Sequence, residues 1–334
     1  KKISAICYNK YENKTEWGFY MQTVIKKKSQ CKKKRSKTVN NAQLWSLCAV
    51  PALFIFVFSY LPMVGLILAF KKYKYSKGIF GSEWVGFDNF KFLLSSNDFT
   101  RITRNTLCMN AIFIIVGTVA AVVVATMLFE LKRRGTTKLY QTVMITPNFI
   151  SWVVVSYMAY AILQPTNGVL NQILGVFGIE NIDWYSKPNA WPVILTVSAV
   201  WKSVGMDSVI YYAAMMGFDV SLFEAAELDG ANKLQRTLYV LLPSLVGLIT
   251  ILTILKIGNI FRADFGLFYQ VPRNIGALYP TTDVIDTYIF RTMRVVGDIG
   301  MSSAAGLLQS IVGFVMVVTV NTIVKKVSPE NALL

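Results

Sequence analysis

Six stretches of about 20 mainly apolar residues, separated by polar segments, dominate the hydrophobic pattern of this chain. A hydrocarbon core about 30 Å thick requires about 20 residues of helix, so each stretch is predicted to cross a membrane. The third is the least uniform, since Ser151, Ser156 and Gln164 lie in its outer half. The predicted spans are 44–70, 107–129, 142–163, 191–212, 242–261 and 303–324.

This pattern predicts an all-α, polytopic membrane protein of six transmembrane helices. The chain divides into a basic segment, 1–43, a transmembrane domain, 44–327, and a short tail, 328–334. Composition supports the prediction, because 54% of the 334 residues are hydrophobic, only 16% are charged, and the mean hydropathy is +0.47. Soluble domains carry about 25% charged residues, so the bilayer is the expected solvent.

Charge indicates an orientation. The formal net charge is +16, and twelve of the Lys and Arg residues precede residue 44. Basic residues beside an apolar span mark the cytoplasmic, anionic-lipid side far more often than a nucleic-acid site, so we expect membrane lipid and no nucleic acid as a partner. An even number of spans then places both termini in the cytoplasm.

The short loops do not agree with this orientation by themselves. The inward segments carry 20 Lys and Arg against 12 outward, but without the N-terminal block the numbers become 8 and 12. The outward cluster Lys71, Lys72, Lys74 and Lys77 is responsible. The inverted topology therefore stays open on charge alone.

The beginning of the chain resembles a natural start at Met21 rather than at Lys1, since Met21 opens MQTVIKKKSQCKKKRSK. We expect residues 1–20 to be upstream or fusion-derived. The first 43 residues have no apolar core, so a cleavable signal peptide is not expected.

Several kinds of chemistry are excluded by residue type. The chain has no histidine, and its four cysteines form no CxxC pair. Catalytic triads, histidine metal sites and zinc sites are therefore not predicted, and neither catalytic residues nor a metal are expected. No GxxxxGK[ST] motif is present, so this chain is not expected to bind ATP or any other cofactor. Asp264-Phe265-Gly266 matches a kinase motif by chance, since its companion motifs are missing.

The polar stretch EAAELDGANKLQRTLYVLLPSL, 224–245, lies between spans four and five. Ser221 followed by Glu224 predicts a capping box and a helix of about two turns. Gly230 is predicted to end that helix, and Pro243 is placed where a further helix can start without losing a donor. The pattern alone also fits an amphipathic linker resting on lipid.

This stretch resembles the EAA loop of binding-protein-dependent ABC importers, because EAAxxDGA and a later Leu-Pro occur together between the expected spans. Further segments are similar to the oligosaccharide and polysaccharide branch of maltose-type permeases, and the resemblance covers roughly 44–327. They include WVGFDNF, RNTL, WKSVGMDSVIYYAAMMG, DVIDTYIFRTM and SSAAGLLQSIVGF.

The resemblance implies that the loop is a coupling helix, which docks on a cytoplasmic ATPase and transmits its closure to the spans. Glu224, Ala225 and Ala226 would be the docking end, Gly230 the turn, and Leu242 and Pro243 the start of span five. The whole coupling set implied by the match is Glu224, Ala225, Ala226, Asp229, Gly230, Ala231, Leu242 and Pro243.

The resemblance also implies the partners of the chain. It would form half of a heterodimeric pore in the bacterial plasma membrane, together with a second, homologous permease. Cytoplasmic ATP-binding subunits would hydrolyse ATP, and an extracytoplasmic sugar-binding lipoprotein would deliver the cargo.

Charges inside spans are candidates for a solute path, because they are costly in hydrocarbon. The charged candidates are Lys202, Asp207 and Lys256, and Tyr157 and Trp201 are the aromatic ones. Pairing between helices or snorkelling would explain the charges equally well. The aromatic residues also fit an interfacial belt.

Two other classes of protein fit the sequence less well. An ion-driven secondary transporter often shows two matching halves and midplane carboxylates, whereas the spans show no such halves and Asp207 is the only acid predicted to be buried. An intramembrane enzyme is disfavoured by the missing histidine and by the absence of paired carboxylates.

Overall fold

A computed structural model describes residues 45–131 and 133–327. The basic segment 1–43 and the tail 328–334 lie outside the described residues. The expectation that residues 1–20 are upstream or fusion-derived therefore stays a prediction. The chain divides into two compact units, one ending at Gly65 and one beginning at Leu66.

Almost all of the regular structure is helical. Two short antiparallel strands, β1 (Lys71–Lys72) and β2 (Glu83–Trp84), pair Lys71 with Trp84 and Lys72 with Glu83. In chain order the helices are α1 (Trp45–Phe70), α2 (Gly78–Gly81), α3 (Asp88–Ser95), α4 (Asn97–Phe129), α5 (Arg134–Ile145), α6 (Trp152–Leu163), α7 (Val169–Val176), α8 (Trp191–Met215), α9 (Val220–Leu228), α10 (Lys233–Arg236), α11 (Leu242–Gly258), α12 (Phe265–Gln270), α13 (Tyr279–Thr282), α14 (Ile285–Arg291) and α15 (Ile299–Val327).

Five helices of the described chain are long and apolar enough to cross a membrane. They are α1, α4, α8, α15 and the continuous helix Lys233–Gly258, which contains α10 and α11. They confirm the all-α prediction and five of the six predicted spans, although α4 starts at Asn97 rather than at residue 107. The Ser96 side chain caps α4 by accepting from the Phe99 backbone N–H at 3.2 Å, so the helix begins in polar sequence outside the apolar run.

The third predicted span, 142–163, is not one continuous helix but a bent pair of helices, either one broken span, which would be the sixth, or a re-entrant loop. The helical segments Gly135–Phe149 and Trp152–Leu163 meet at a bend of 97°. A 3-10 turn, Thr146–Phe149, follows α5 with Pro147 in its first turn. Ser151 then caps α6 by accepting from the Val154 N–H. A residue without an N–H followed by a new helix cap breaks the continuous hydrogen-bond ladder.

The core of the second unit consists of three groups of buried side chains. One lies towards the predicted outer side around Trp191, Leu195 and Phe268. A second lies at the opposite ends of α4 and α8 and includes Ala125 and Met215. The third packs α3, α14 and α15 against the beginning of α4, with the participants Leu93, Ile102, Ile285, Tyr288 and Ala305.

The long segment after α11 is held on α4 by a buried carboxylate that was not predicted. The Asp283 side chain is fully buried and pairs with Arg101 at 3.1 Å and with Arg291 at 2.7 Å. Asn105 also donates its side-chain amide to the backbone oxygens of Pro280 and Asp283. A buried charge is stable only when it is paired, so this network fixes the segment around α13 and α14 against α4.

Candidate functional site

The loop between α8 and α11 begins with a helix whose N-terminal cap differs from the prediction. Asp219, not Ser221, is the cap of α9, and its carboxylate accepts from the Ser221 backbone N–H at 3.0 Å. This hydrogen bond lowers the pKa of Asp219. The predicted capping box of Ser221 and Glu224 was therefore wrong. Asp219 is also an eligible cap residue and lies two positions earlier, so the sequence offered two competing starts.

The predicted turn at Gly230 is present. Its φ is +81°, a left-handed conformation that costs glycine little. The Gly230 N–H donates to the Glu227 carbonyl and the Ala231 N–H donates to the Ala226 carbonyl, each over about 3 Å. These two bonds form a Schellman motif, with Asp229 as the C-cap residue. Helix α9 is therefore a short rigid piece closed at both ends.

The capping box of this loop lies at the second helix. The Asn232 side chain accepts from the Gln235 N–H at 2.9 Å, and the Gln235 side chain accepts from the Asn232 N–H at 2.8 Å. From here α10 runs through a π-helical turn, Thr237–Leu241, directly into α11. Although Pro243 lies at the beginning of α11, as predicted, α10 and α11 are parts of one helix, Lys233–Gly258. The wider π turn lies just before Pro243, which has no N–H for a regular ladder.

Helix α9 is anchored on one face and open on the other. Phe223 is half-buried and lies 5.6 Å, between ring centroids, from Phe129 at the end of α4. Glu224, Ala225 and Leu228 are exposed, and Leu228 is 89% accessible. An exposed leucine beside alanines leaves an apolar face with room for close approach.

Ion pairs connect α9 to the neighbouring helices. The Arg236 guanidinium lies 2.8 Å from the Glu227 carboxylate and 3.8 Å from the Glu130 carboxylate. Lys233 also approaches Glu130 at 3.5 Å. Since Glu130 ends α4 and Arg236 belongs to α10, a displacement of α9 is mechanically linked to two spanning helices.

A second feature is a cavity of about 660 Å³ whose walls come from α4, α8 and α11, the turn before α6 and the start of α12. This volume is within the usual range for ligand sites. Its polar and charged lining is Asn110, Asn148, Lys202, Ser203, Asp207, Lys256, Asn259, Arg262 and Asp264. Apolar side chains complete the walls, among them Phe113, Trp152, Leu252 and Leu267.

The three charged path candidates all line this cavity, and two of them also pair. Asp207 on α8 and Lys256 on α11 form an ion pair at 2.8 Å, with side chains 25% and 33% exposed. The alternatives of cavity lining and interhelical pairing are therefore both realised by the same residues. The pair joins α8 to α11 within the cavity wall.

Lys202 is committed to the backbone at the bend of the third span. Its ammonium donates to the carbonyl oxygens of Asn148 and Ile150 at 2.7 Å each and to that of Pro147 at 3.3 Å. The backbone of α8 comes close to the backbone before the bend because Gly205 has no side chain. A Cβ at Gly205 would lie 1.9 Å from the Met144 carbonyl oxygen. Lys202 thus supplies the donors that the broken helix lacks.

Trp152, the first residue of α6, forms a fixed part of the wall. Its indole N–H donates to the Asp264 carboxylate at 2.7 Å, and its ring packs so tightly on Gly266 that a Cβ there would come within 2.2 Å. Lys202 lies 5.3 Å from the ring centroid. Asp264 also caps α12. In the sequence, Trp152 is one of many aromatic residues in or near the spans, and such residues also fit an interfacial belt.

The two aromatic path candidates, Tyr157 and Trp201, are not among the residues that line this cavity. Tyr157 is 64% exposed and Trp201 is 39% exposed. At about 100° per residue along a helix, Tyr157 is turned away from Trp152 and Trp201 is turned away from Lys202. Within 45–131 and 133–327 no group of three possible metal ligands occurs.

Comparison with known proteins places these features in a family. The model of a binding-protein-dependent transport system inner membrane component matches residues 114–329. The chain is 31% identical to Protein LplB of Bacillus subtilis, over 85% of this chain and 89% of that protein. It is 29% identical to the polygalacturonan/rhamnogalacturonan transport system permease protein YteP of the same organism, over 93% and 96%.

A solved structure agrees with the sequence comparisons. The crystal structure of a bacterial ABC transporter involved in the import of the acidic polysaccharide alginate matches with a TM-score of 0.78 and 30% identity, over 86% of this chain and 97% of that chain. The same kind of transporter, in complex with an alginate pentasaccharide-bound periplasmic protein, matches with a TM-score of 0.77. This chain belongs to the family of binding-protein-dependent transport system inner membrane components.

Proposed function

We propose that this chain is the permease subunit of an ATP-driven importer and forms half of the translocation pathway for an oligosaccharide or polysaccharide fragment. The observation that carries the proposal is α9, a two-turn helix that is capped at both ends and exposed on one face. Only the turn 229–232 separates it from a spanning helix. A short capped helix moves as a rigid body and can therefore transmit a displacement to the helix that follows it.

The proposed roles within the loop combine its geometry with the resemblance of its sequence to the EAA motif. Glu224, Ala225 and Ala226 lie at the docking end for the ATP-binding subunit, where small side chains permit close approach. Asp229, Gly230 and Ala231 form the turn that closes α9. Leu242 and Pro243 start the part of the spanning helix that follows the π turn.

The proposed assembly contains four kinds of chain. This permease pairs with a second, homologous permease, and ATP-binding subunits dock on the α9 side and hydrolyse ATP. A sugar-binding lipoprotein delivers cargo from the opposite side. This arrangement requires both termini and α9 to lie in the cytoplasm, which agrees with the basic N-terminal block. The family match and the periplasmic protein of the alginate transporter support it.

An ion-driven mechanism has no observation in its favour. The acid predicted to be buried in a span, Asp207, is paired with Lys256 rather than held ready to exchange protons or sodium. The experiment is reconstitution of the chain in proteoliposomes with its genetically neighbouring permease, ATP-binding subunits and lipoprotein. We expect uptake of labelled oligosaccharide that needs ATP inside, survives collapse of proton and sodium gradients, and disappears when any one of the three partners is omitted. Uptake that persists without ATP would contradict the proposal.

A further inference from the structure

The cavity has more positive than negative side chains. Its cations are Lys202, Lys256 and Arg262, and its acids are Asp207 and Asp264. A water-filled cavity between low-dielectric walls concentrates the field of such an imbalance. The pairing of each charge decides which of them is available to a ligand.

Four of the five charges are already engaged. Lys256 and Asp207 neutralise each other at 2.8 Å. The Asp264 carboxylate accepts from the Trp152 indole and from the Leu267 backbone N–H. The Lys202 ammonium has three donors and three carbonyl partners.

Arg262 is the exception. Its backbone is held by Asn110, whose side-chain amide donates to the Arg262 carbonyl at 3.0 Å, and by its own N–H, which donates to the Asn259 carbonyl at 2.9 Å. Its side chain is exposed, and within the described ranges its guanidinium has neither a hydrogen bond nor an ion pair. The Asp286 carboxylate is close enough for its charge to act on Arg262, but it forms no ion pair with it and accepts from the Ala263 N–H and the Gln309 amide. A positioned backbone therefore presents five free donors at the cavity wall.

The same cavity offers the other contacts that a sugar needs. Trp152 lines the cavity and is held in place by Asp264, Gly266 and Lys202, so the part of its indole that borders the cavity needs no further ordering. The Asn110 side chain donates from its amide nitrogen to the carbonyl oxygens of Ile260 and Arg262, and its amide oxygen takes part in neither bond. Aromatic surface and amide oxygens bind the apolar face and the hydroxyl groups of a sugar ring.

We propose that this cavity receives an acidic carbohydrate, a sugar of the uronic acid class, and that its carboxylate pairs with the Arg262 guanidinium. A planar guanidinium binds a carboxylate with two parallel hydrogen bonds, a geometry that a neutral hydroxyl does not complete. The inference rests on the proposed function and names the class of cargo for it. Arg262 is then a residue that determines specificity.

The test compares an acidic ligand with its neutral methyl ester. The probes are short oligomers from a polygalacturonate digest and from an alginate digest, each used as the free acid and after methyl esterification. Binding to the purified importer complex in nanodiscs, without the lipoprotein, is measured by saturation-transfer NMR, which detects weak ligands. The variants are Arg262→Gln, Arg262→Lys and, as matched control, Arg294→Gln. Arg294 is an exposed arginine of the segment after α14 that does not line the cavity.

We expect at least one acid digest to bind about tenfold more tightly than its ester, as a lost charged hydrogen bond implies. Arg262→Gln should reduce that ratio to below about two. Arg262→Lys should restore part of it, and Arg294→Gln should leave it unchanged. Equal binding of acid and ester by the wild type would overturn the inference, and so would an equal effect of both glutamine variants.

Failure of this inference can be told apart from failure of the proposed function. If acid and ester bind equally while the complex carries out ATP-dependent uptake of a neutral oligosaccharide, the proposed cargo class is wrong but the proposed importer function is retained. If the reconstituted complex shows no ATP-dependent uptake of any digest, the proposed function itself is contradicted.

Discussion

Arg236 donates from Nη1 to Glu227 Oε2 at 2.8 Å and thereby joins α9 to the first turn of the helix that continues as span five. Arg236 also approaches Glu130 at the end of α4. The loop that contains α9 is therefore connected to two spanning helices by side chains as well as by the chain itself.

Arg236→Gln removes these links while the backbone connection remains. Exposed ion pairs contribute about 0.2–1 kcal/mol, and Glu227 is 72% exposed, so the melting temperature should change little. Uptake per ATP hydrolysed should fall, because closure of the ATPase would reach α4 less directly. The measurement is the ratio of uptake to ATP hydrolysis in proteoliposomes, with Arg294→Gln as control. An unchanged ratio would remove Arg236 from the coupling path.

Gly230→Ala places a side chain at φ +81° and should destabilise the turn by about 1 kcal/mol. The matched control is Gly135→Ala, inside helix α5 with no atom near the added Cβ, which should stabilise by about 0.5–1 kcal/mol instead. Thermal unfolding of the detergent-purified chain measures both. Two shifts of the same sign would show that the turn geometry is not the determining factor.

Lys202→Met leaves three carbonyl oxygens at the bend of the third span without their donor. We expect a loss of about 2–3 kcal/mol, since an unsatisfied buried group costs about 1–3 kcal/mol and water replaces some of the bonds. Ser203→Ala, at the neighbouring position of the same cavity, should have little effect. The stability of both variants is measured by denaturant or thermal unfolding, and an equal loss would refute the role of the Lys202 bonds.

Gly205→Ala tests the close approach of α8 to the bend. A Cβ would lie 1.9 Å from the Met144 carbonyl oxygen, a backbone atom that cannot move away without shifting a helix. Overpacking costs about 1–3 kcal/mol, and here we expect the upper end of that range. Gly117→Ala on α4, where a Cβ meets no atom within 4 Å, is the control. Comparable yields and melting temperatures for the two variants would contradict the packing described.

Lys202 and Gly205 illustrate which parts of the structure could not be predicted from the sequence. Apolar runs predicted the spans because the bilayer acts on each run locally, and Gly230 was predictable because a left-handed turn selects glycine. The bend at Pro147 depends on Lys202 and Gly205, which are distant in sequence and act only after α8 has packed. For the same reason Trp152 was indistinguishable from a belt residue until its partner Asp264 was known.

Asp286 predicts a pH dependence. Burial raises its pKa, although hydrogen bonds from Ala263 and Gln309 and the charge of Arg262 oppose the change. The folded state therefore favours the protonated form, and the stability that this form provides is lost as pH rises from the unfolded-state pKa through the folded-state pKa. Asp286→Asn keeps an oxygen acceptor without the charge. The melting temperature of the variant relative to wild type should increase between about pH 4 and pH 7.

The control for this pH series is Ser203→Ala, a change in which neither side chain titrates between about pH 4 and pH 7. Its difference from wild type should not change over the same interval. A difference for Asp286→Asn that shrinks as pH rises would show that the charged form is the favoured one in the folded protein.

The decisive test of the proposal that α9 receives the force of ATP hydrolysis from a separate subunit is ATP-dependent uptake by the reconstituted complex carrying Glu224→Lys. The matched control is Glu180→Lys, an exposed acid outside the loop that contains α9. Charge reversal at a docking surface costs several kcal/mol, so we expect Glu224→Lys to lower uptake on the order of tenfold or more while Glu180→Lys transports normally. Normal uptake by Glu224→Lys would contradict it.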